Sequence, residues 1–172
     1  MHRHSNHQQN IHSSVIASAY GLTKSFAGKK ALDNIDLEIK SGQVFAILGA
    51  NGAGKTTLLR CMMGHLTPRH GRIKWAANAN LGYCPQDTGA EFVNNTNLFD
   101  WMSLWRKPNH DDQIVRATLG RLLFSADEYK KKARVCSGGE KNRLLFGKLM
   151  MMDTNVLVMD EPTNHLDMES IE

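Results

Sequence analysis

The sequence predicts an α/β fold in which a phosphate-binding loop joins a buried strand to a helix. Three observations predict it. Val44 to Leu48 is a short uninterrupted apolar run, the mark of a strand covered on both faces. Gly49 to Thr56 follows at once as "GANGAGKT", which fits G-x-x-x-x-G-K-[ST]. Asn155 to Met159 forms a second apolar run that ends in Asp160-Glu161. Loop and acidic pair are thus both expected at C-terminal strand ends, where open α/β sheets place their ligands.

The elements follow in order. Residues 1–14 are polar and read as a disordered lead; they carry His2, His4, His7 and His12 without acidic or cysteine neighbours to complete a metal site. Val15 to Phe26 and Leu32 to Ile39 read as strands, the second alternating through Ile35, Leu37 and Ile39. Ser41-Gly42 is a turn, and a helix is expected from Lys55 to about Met63, with Gly64 as its stop. Arg72 to Trp75 and Leu81 to Cys84 are short strands. Asn94 to about Lys132 is expected to be mostly helical, with Ser125 and Glu128 spaced for a capping box. Ser137-Gly138-Gly139 opens a last helix with Leu144, Leu145, Leu149 and Met152 on its apolar side. Trp101 and Trp105, four apart, are expected to pack in the helical region.

Composition bounds the rest. The 172 residues suffice for one domain with a real core. A formal charge of +4 is too mild to argue for nucleic acid. No apolar run approaches the roughly 20 residues of a membrane-spanning helix, and the polar N-terminus is unlike a secretory signal. Cys61, Cys84 and Cys136 share no metal spacing and read as reduced thiols, so a cytoplasmic location is expected.

The chemistry lies in three motifs. In Gly49 to Thr56 the glycines let backbone N–H groups turn toward phosphate oxygens, and the helix that follows adds about half a positive charge. Lys55 brings a full charge near the β- and γ-phosphates, and the Thr56 hydroxyl is suited to Mg²⁺. Asp160 can hold that metal through water, and Glu161 beside it can orient or deprotonate an attacking water. Ser137-Gly138-Gly139-Glu140 presents further free N–H groups at a helix start, and the same four residues also fit a capping box.

With "DEPTNHLD" (Asp160 to Asp167) downstream, this order of motifs resembles the ABC ATPases, whose signature is LSGGQ or a close variant. The resemblance implies a P-loop NTPase of the ABC type: a mixed sheet core over 15–87 and 137–172, and a helical signature subdomain over 88–136. It implies ATP and Mg²⁺ as ligands. Nucleotide contacts fall on Phe26, which would stack on adenine, and on Gly49, Ala50, Asn51, Gly52, Ala53, Gly54, Lys55, Thr56 and Thr57. Gln86, in "GYCPQD", matches the family glutamine that meets Mg²⁺ and the attacking water, so the metal set is Thr56, Gln86 and Asp160 and the catalytic pair Glu161 and Gln86. Ser137 to Glu140 would face the nucleotide of an opposing cassette, and Asp167 matches the D-loop aspartate at that seam. Cys136 stands where the signature usually has leucine.

"SGGEK" with "DEPTNHLD" looks like the ABC-F family, cassettes that act on ribosomes, and "LFDWMSLWR" and "FGKLMMM" resemble the C-terminal cassette of its YbiT-like members. A ribosome and a second cassette, on the same or a separate chain, are the implied partners. Two other readings stay open: the ATP-binding subunit of a membrane transporter, and a non-catalytic nucleotide-binding module. By the same resemblance the chain stops at Glu172, short of the family's switch histidine and last strands, so turnover by these residues alone is expected to be impaired.

Overall fold

The computed structural model describes residues 14–162, which form two compact units divided between Asn78 and Ala79. Of the expected lead at 1–14, residues 1–13 with the histidines lie outside the described residues, as do Asn164, His165 and Asp167, while Ser14 O accepts from Ser41 N–H at 2.7 Å.

In the first unit, β1 (Val15–Phe26), β2 (Lys29–Lys40) and β3 (His70–Trp75) make an antiparallel sheet in the order β2-β1-β3. Both long strands match the expected ones. Their hairpin closes through Ala27 and Gly28, both at positive φ (46° and 83°), the two-residue turn whose twist suits paired strands. The alternation read in β2 turns Ile35, Leu37 and Ile39 one way, and their β1 partners on that face include Ala19 and Leu22, both fully buried. Helix α1 (Lys55–Met62) packs Leu58, Cys61 and Met62 into this core. The Trp75 indole donates to the Met62 carbonyl at 2.9 Å, tying β3 to the end of α1.

One expectation fails here. Val44 to Leu48 is not a strand: it pairs with no described strand, and Val44 and Leu48 are almost wholly exposed (101% and 91%). An apolar run specifies a strand only where a neighbouring backbone takes up its N–H and C=O groups, and no described segment does so. The phosphate loop therefore follows an irregular segment rather than a strand end.

In the second unit, β4 (Leu81–Cys84) and β5 (Val156–Met159) pair in parallel, register Leu81↔Val156 to Cys84↔Met159. The predicted β5 forms, but it is only partly covered, with Leu157 53% exposed, so it is not the doubly buried strand its composition suggests. Between them lie α2 (Leu98–Ser103), α3 (Asp112–Arg121) and α4 (Gly138–Met151). The expected long helical stretch is broken into α2, α3 and short 3₁₀ turns at Ala126–Lys130 and Ala133–Val135. Pro108 interrupts it after α2, and Leu123, at φ 63°, ends the turn after α3. Each start is capped: Asn97 accepts from Asp100 N–H, and Asp111 from Ile114 N–H. The Ser125–Glu128 capping box is present on the first 3₁₀ turn.

The core of this unit is Leu98, Trp101, Met102, Val115, Leu119, Leu144, Leu145 and Met151, all at most 2% exposed. Trp101 stacks on Phe92 at 4.8 Å between centroids and meets Trp105 edge-on at 6.0 Å. Both tryptophans are thus packing residues. The Lys148 ammonium lies 4.0 Å from the Trp105 ring centroid and 2.8 Å from Glu91 Oε2, which pairs its charge in this nearly buried place.

Candidate nucleotide site

The loop from Gly49 to Thr56 is built from small residues that turn sharply. Gly52 and Gly54 sit at φ 82° and 88°, the left-handed region that glycine enters without strain. Gly54 is also the N-cap of α1, and a side chain there would overlap the Ala31 carbonyl oxygen. Ala53 N–H donates to Ala50 O at 3.1 Å, closing the turn. The Lys55 ammonium folds back on this turn, donating to Gly49 O at 2.6 Å and Ala50 O at 3.2 Å. The loop from Gly49 to Ala53, Asn51 included, is exposed, while Gly54 to Thr57 are half-buried. No acidic residue lies in the first turn of α1, so its positive end is not offset locally. An exposed loop followed by a helix start with no acidic residue in its first turn is suited to an anion. Phe26, at the end of β1, is 48% exposed, with the Lys24 ammonium 5.5 Å from its ring centroid.

In the second unit the parallel pairing of β4 with β5 brings Gln86, Asp160 and Glu161 to the same strand ends. The register ends at Cys84↔Met159, and Asp160 N–H continues it by donating to Cys84 O at 2.9 Å. Asp160 is thereby buried, 3% exposed. Glu161 follows at φ 51°, a conformation that costs a residue with a side chain about 1–3 kcal/mol and is held only where the surroundings over-determine it. Gln86, two residues beyond β4, donates from Nε2 to Glu161 Oε2 at 2.8 Å. Two residues 75 apart in sequence are thus joined where the strands end.

The start of α4 is a full capping box. Ser137 Oγ accepts from Glu140 N–H at 3.2 Å, and Glu140 Oε2 accepts from Ser137 N–H at 2.7 Å. Lys131 donates to both Glu140 oxygens, at 2.6 and 2.8 Å. Partial burial pushes the Glu140 carboxyl up, but the Lys131 and Ser137 hydrogen bonds and the Lys131 charge outweigh it and hold the group below the ordinary carboxylate range. Gly139 is buried beneath the first turn. The Cys136 thiol is pushed up to about 11, by burial first and then by Glu140, so it stays protonated. Burial likewise raises the Cys84 and Cys61 thiols.

The structure therefore joins Gly49, Ala50 and Lys55 in one turn, Gln86 with Glu161 beside Asp160, and Ser137 with Glu140. Sequence reasoning did not single out Lys131, one of three consecutive lysines with nothing in the sequence to distinguish it. It also gave no sign of the left-handed backbone at Glu161.

The ABC transporter family model matches residues 32–164, which is most of the chain. The chain is 55% identical over 152 residues to YbiT of Escherichia coli O157:H7, covering 88% of this chain and 29% of that protein. It is 31% identical over 165 residues to the energy-dependent translational throttle protein EttA of Haemophilus influenzae, covering 91% of this chain and 28% of EttA. The chain thus spans under a third of the length of these relatives. Among solved structures, cbiO1 from Clostridium perfringens, part of the ABC transporter complex cbiONQ, matches with a TM-score of 0.64 at 26% identity, covering 92% of this chain and 70% of that one. The chain belongs to the ABC family of ATP-binding cassettes, and among them to the ABC-F type.

Proposed function

We propose that the chain is a cassette for Mg²⁺-dependent ATP hydrolysis that works with a second cassette on the ribosome. The observation that carries the hydrolytic reading is the Gln86–Glu161 hydrogen bond at a strained backbone position. Strain held in place beside a buried aspartate suits a group that must point at a reacting atom.

Each proposed role follows from residue chemistry. Gly49 to Thr57 bind the phosphates through backbone amides and the Lys55 charge, and Phe26 stacks on the adenine. Glu161 orients the attacking water and takes its proton, with Gln86 fixing the carboxylate. Thr56, Gln86 and Asp160 are the proposed Mg²⁺ ligands. They offer a hydroxyl, an amide carbonyl and a carboxylate, all hard oxygens of the kind Mg²⁺ takes. Because the Gln86 amide donates through Nε2, a metal would meet its Oε1. When bound, the ion would supply positive charge to offset that of the phosphates. Ser137 to Glu140 and Asp167 serve the seam with the partner cassette.

Ribosome association is supported by the likeness to EttA, whose name refers to translation. Among the described residues no helix is long and apolar enough to cross a membrane. Co-sedimentation of the chain with ribosomes in Mg-ATP tests this part. Pelleting with ribosomes supports it; partition with membranes carrying a permease points instead to a transporter subunit.

A further inference from the structure

We infer that Lys131 is a positioning residue for the signature motif: it holds and neutralises Glu140, so that an acidic first turn of α4 remains compatible with a triphosphate at the same helix end. This rests on the proposal that Ser137 to Gly139 meet the nucleotide of a partner cassette.

The physical problem is plain. The free N–H groups at the start of α4 favour an anion. Glu140, the third residue of that helix, already brings a negative charge there. Left alone, it would repel a phosphate or compete with it for the amides. Lys131 removes both difficulties. Its ammonium binds both carboxylate oxygens, at 2.6 and 2.8 Å, while one of them, Oε2, also takes the Ser137 N–H. The carboxylate is thereby tied back at Ser137 with its charge matched. The pair is partly buried, with side chains 31% and 16% exposed, which limits screening by solvent. Because Ser137 Oγ accepts from Glu140 N–H, its own O–H is the group left to donate to a phosphate oxygen.

The lysine is itself held in place. Lys131 N–H donates to Glu128 O at 2.8 Å, and Lys131 O accepts from Leu98 N–H at 2.9 Å, so its backbone is fixed to the start of α2. Its neighbour Lys132 reaches Asn95 O instead, at 3.0 Å, and Lys130 is exposed. A capping box needs no lysine, since Gln at the third position closes it equally well. What the lysine adds is charge balance.

The test is ATP-driven pairing of the full 172-residue chain, carried in a Glu161→Gln background to suppress turnover and measured by sedimentation velocity with Mg-ATP. The parent should associate with ATP. Lys131→Met should weaken that association by about ten-fold or more, the scale of one uncompensated charge near a phosphate. Lys131→Arg should retain it, and Lys131→Met combined with Glu140→Gln should recover it, because no charge is then left to neutralise. Because the double variant also removes the uncompensated charge that would weaken the fold, urea unfolding is read beside association. Association that falls while the variant stays folded supports the inference, and a loss that only tracks unfolding overturns it. Equal association of the parent and Lys131→Met overturns the inference alone. A parent that never associates with ATP contradicts the proposed pairing, and the inference with it. Should Lys131→Met not fold, its loss of association only tracks unfolding, and the inference is overturned.

Discussion

The Gln86 amide holds the Glu161 carboxylate at 2.8 Å, while the Glu161 backbone sits in the left-handed region at φ 51°. Strand pairing explains both. Cys84↔Met159 is the last register pair, so the residues that follow each strand emerge together. Asp160 is still attached to that ladder, and the chain must turn immediately after it. Glu161 absorbs the turn.

With Glu161 in its proposed role, that strain sets stability against function at one residue. Glu161→Gly should relieve the left-handed backbone and raise unfolding stability by about 1 kcal/mol, less the lost hydrogen bond to Gln86. Glu161→Gln should keep the shape and nucleotide binding while slowing hydrolysis by the paired cassettes ~10²–10⁴-fold. Urea denaturation checks the first and single-turnover kinetics the second. A marked destabilisation by glycine would show that the strain is not what the backbone angle implies.

Phe26 offers a separation of base from phosphate. The ring is half exposed, so Phe26→Ala should disturb folding little. Its loss should weaken ATP binding by ~1–3 kcal/mol, the worth of an aromatic–base stack, and leave tripolyphosphate binding unchanged. Titration calorimetry with both ligands reads the difference. Equal losses for the two would mean that Phe26 supports the loop rather than the adenine.

The Lys131–Glu140 pair sets a pH dependence. Glu140 titrates below its ordinary range in the folded chain, so its contribution is present above the unfolded carboxylate pKa and is lost as pH falls through the folded one. Lys131 is raised, chiefly by its hydrogen bond to Glu140, so its contribution is present below the unfolded lysine pKa and is lost as pH rises through the folded one. Glu128, lowered by the Ser125 N–H and hydroxyl, loses its contribution on the same acid side as Glu140. Arg143 and Lys131 favour the ionised Glu140, and Cys136 stays neutral on the acid side, while its ionisation adds to the rise of Lys131 on the alkaline side. Lys131→Met should therefore flatten the acid limb of a stability-against-pH curve, leaving the shares of Glu128 and of Asp153, which Lys107 lowers. An unchanged acid limb would separate Lys131 from Glu140.

Patterns whose cause is local were legible in the sequence. The β2 alternation, the Ser125 and Ser137 capping boxes and the helix start at Lys55 each depend on residues within a few positions, and each is found as read. Features that depend on a distant partner were not. Val44 to Leu48 reads as a strand because its composition suits burial, yet composition does not supply the neighbouring backbone that makes a strand. Trp101 and Trp105 could be placed at helical spacing, but Phe92 and Lys148, which pack on them, come from elsewhere. Lys131 reaches Glu140 from a backbone held in part by Leu98, a contact 33 residues long in sequence that no local pattern announces.

The central claim is that Gly49 to Thr56 is a triphosphate cradle with Lys55 as its charge. The Lys55 ammonium folds over the turn onto the Gly49 and Ala50 carbonyls, within the proposed cradle. The most direct measurement is titration calorimetry of Mg-ATP against the wild-type chain and Lys55→Ala. Loss of a charged hydrogen bond worth ~1.5–3 kcal/mol predicts about a 10- to 100-fold weaker affinity in the variant, with its fold retained. Equal affinity in the two proteins would contradict the claim.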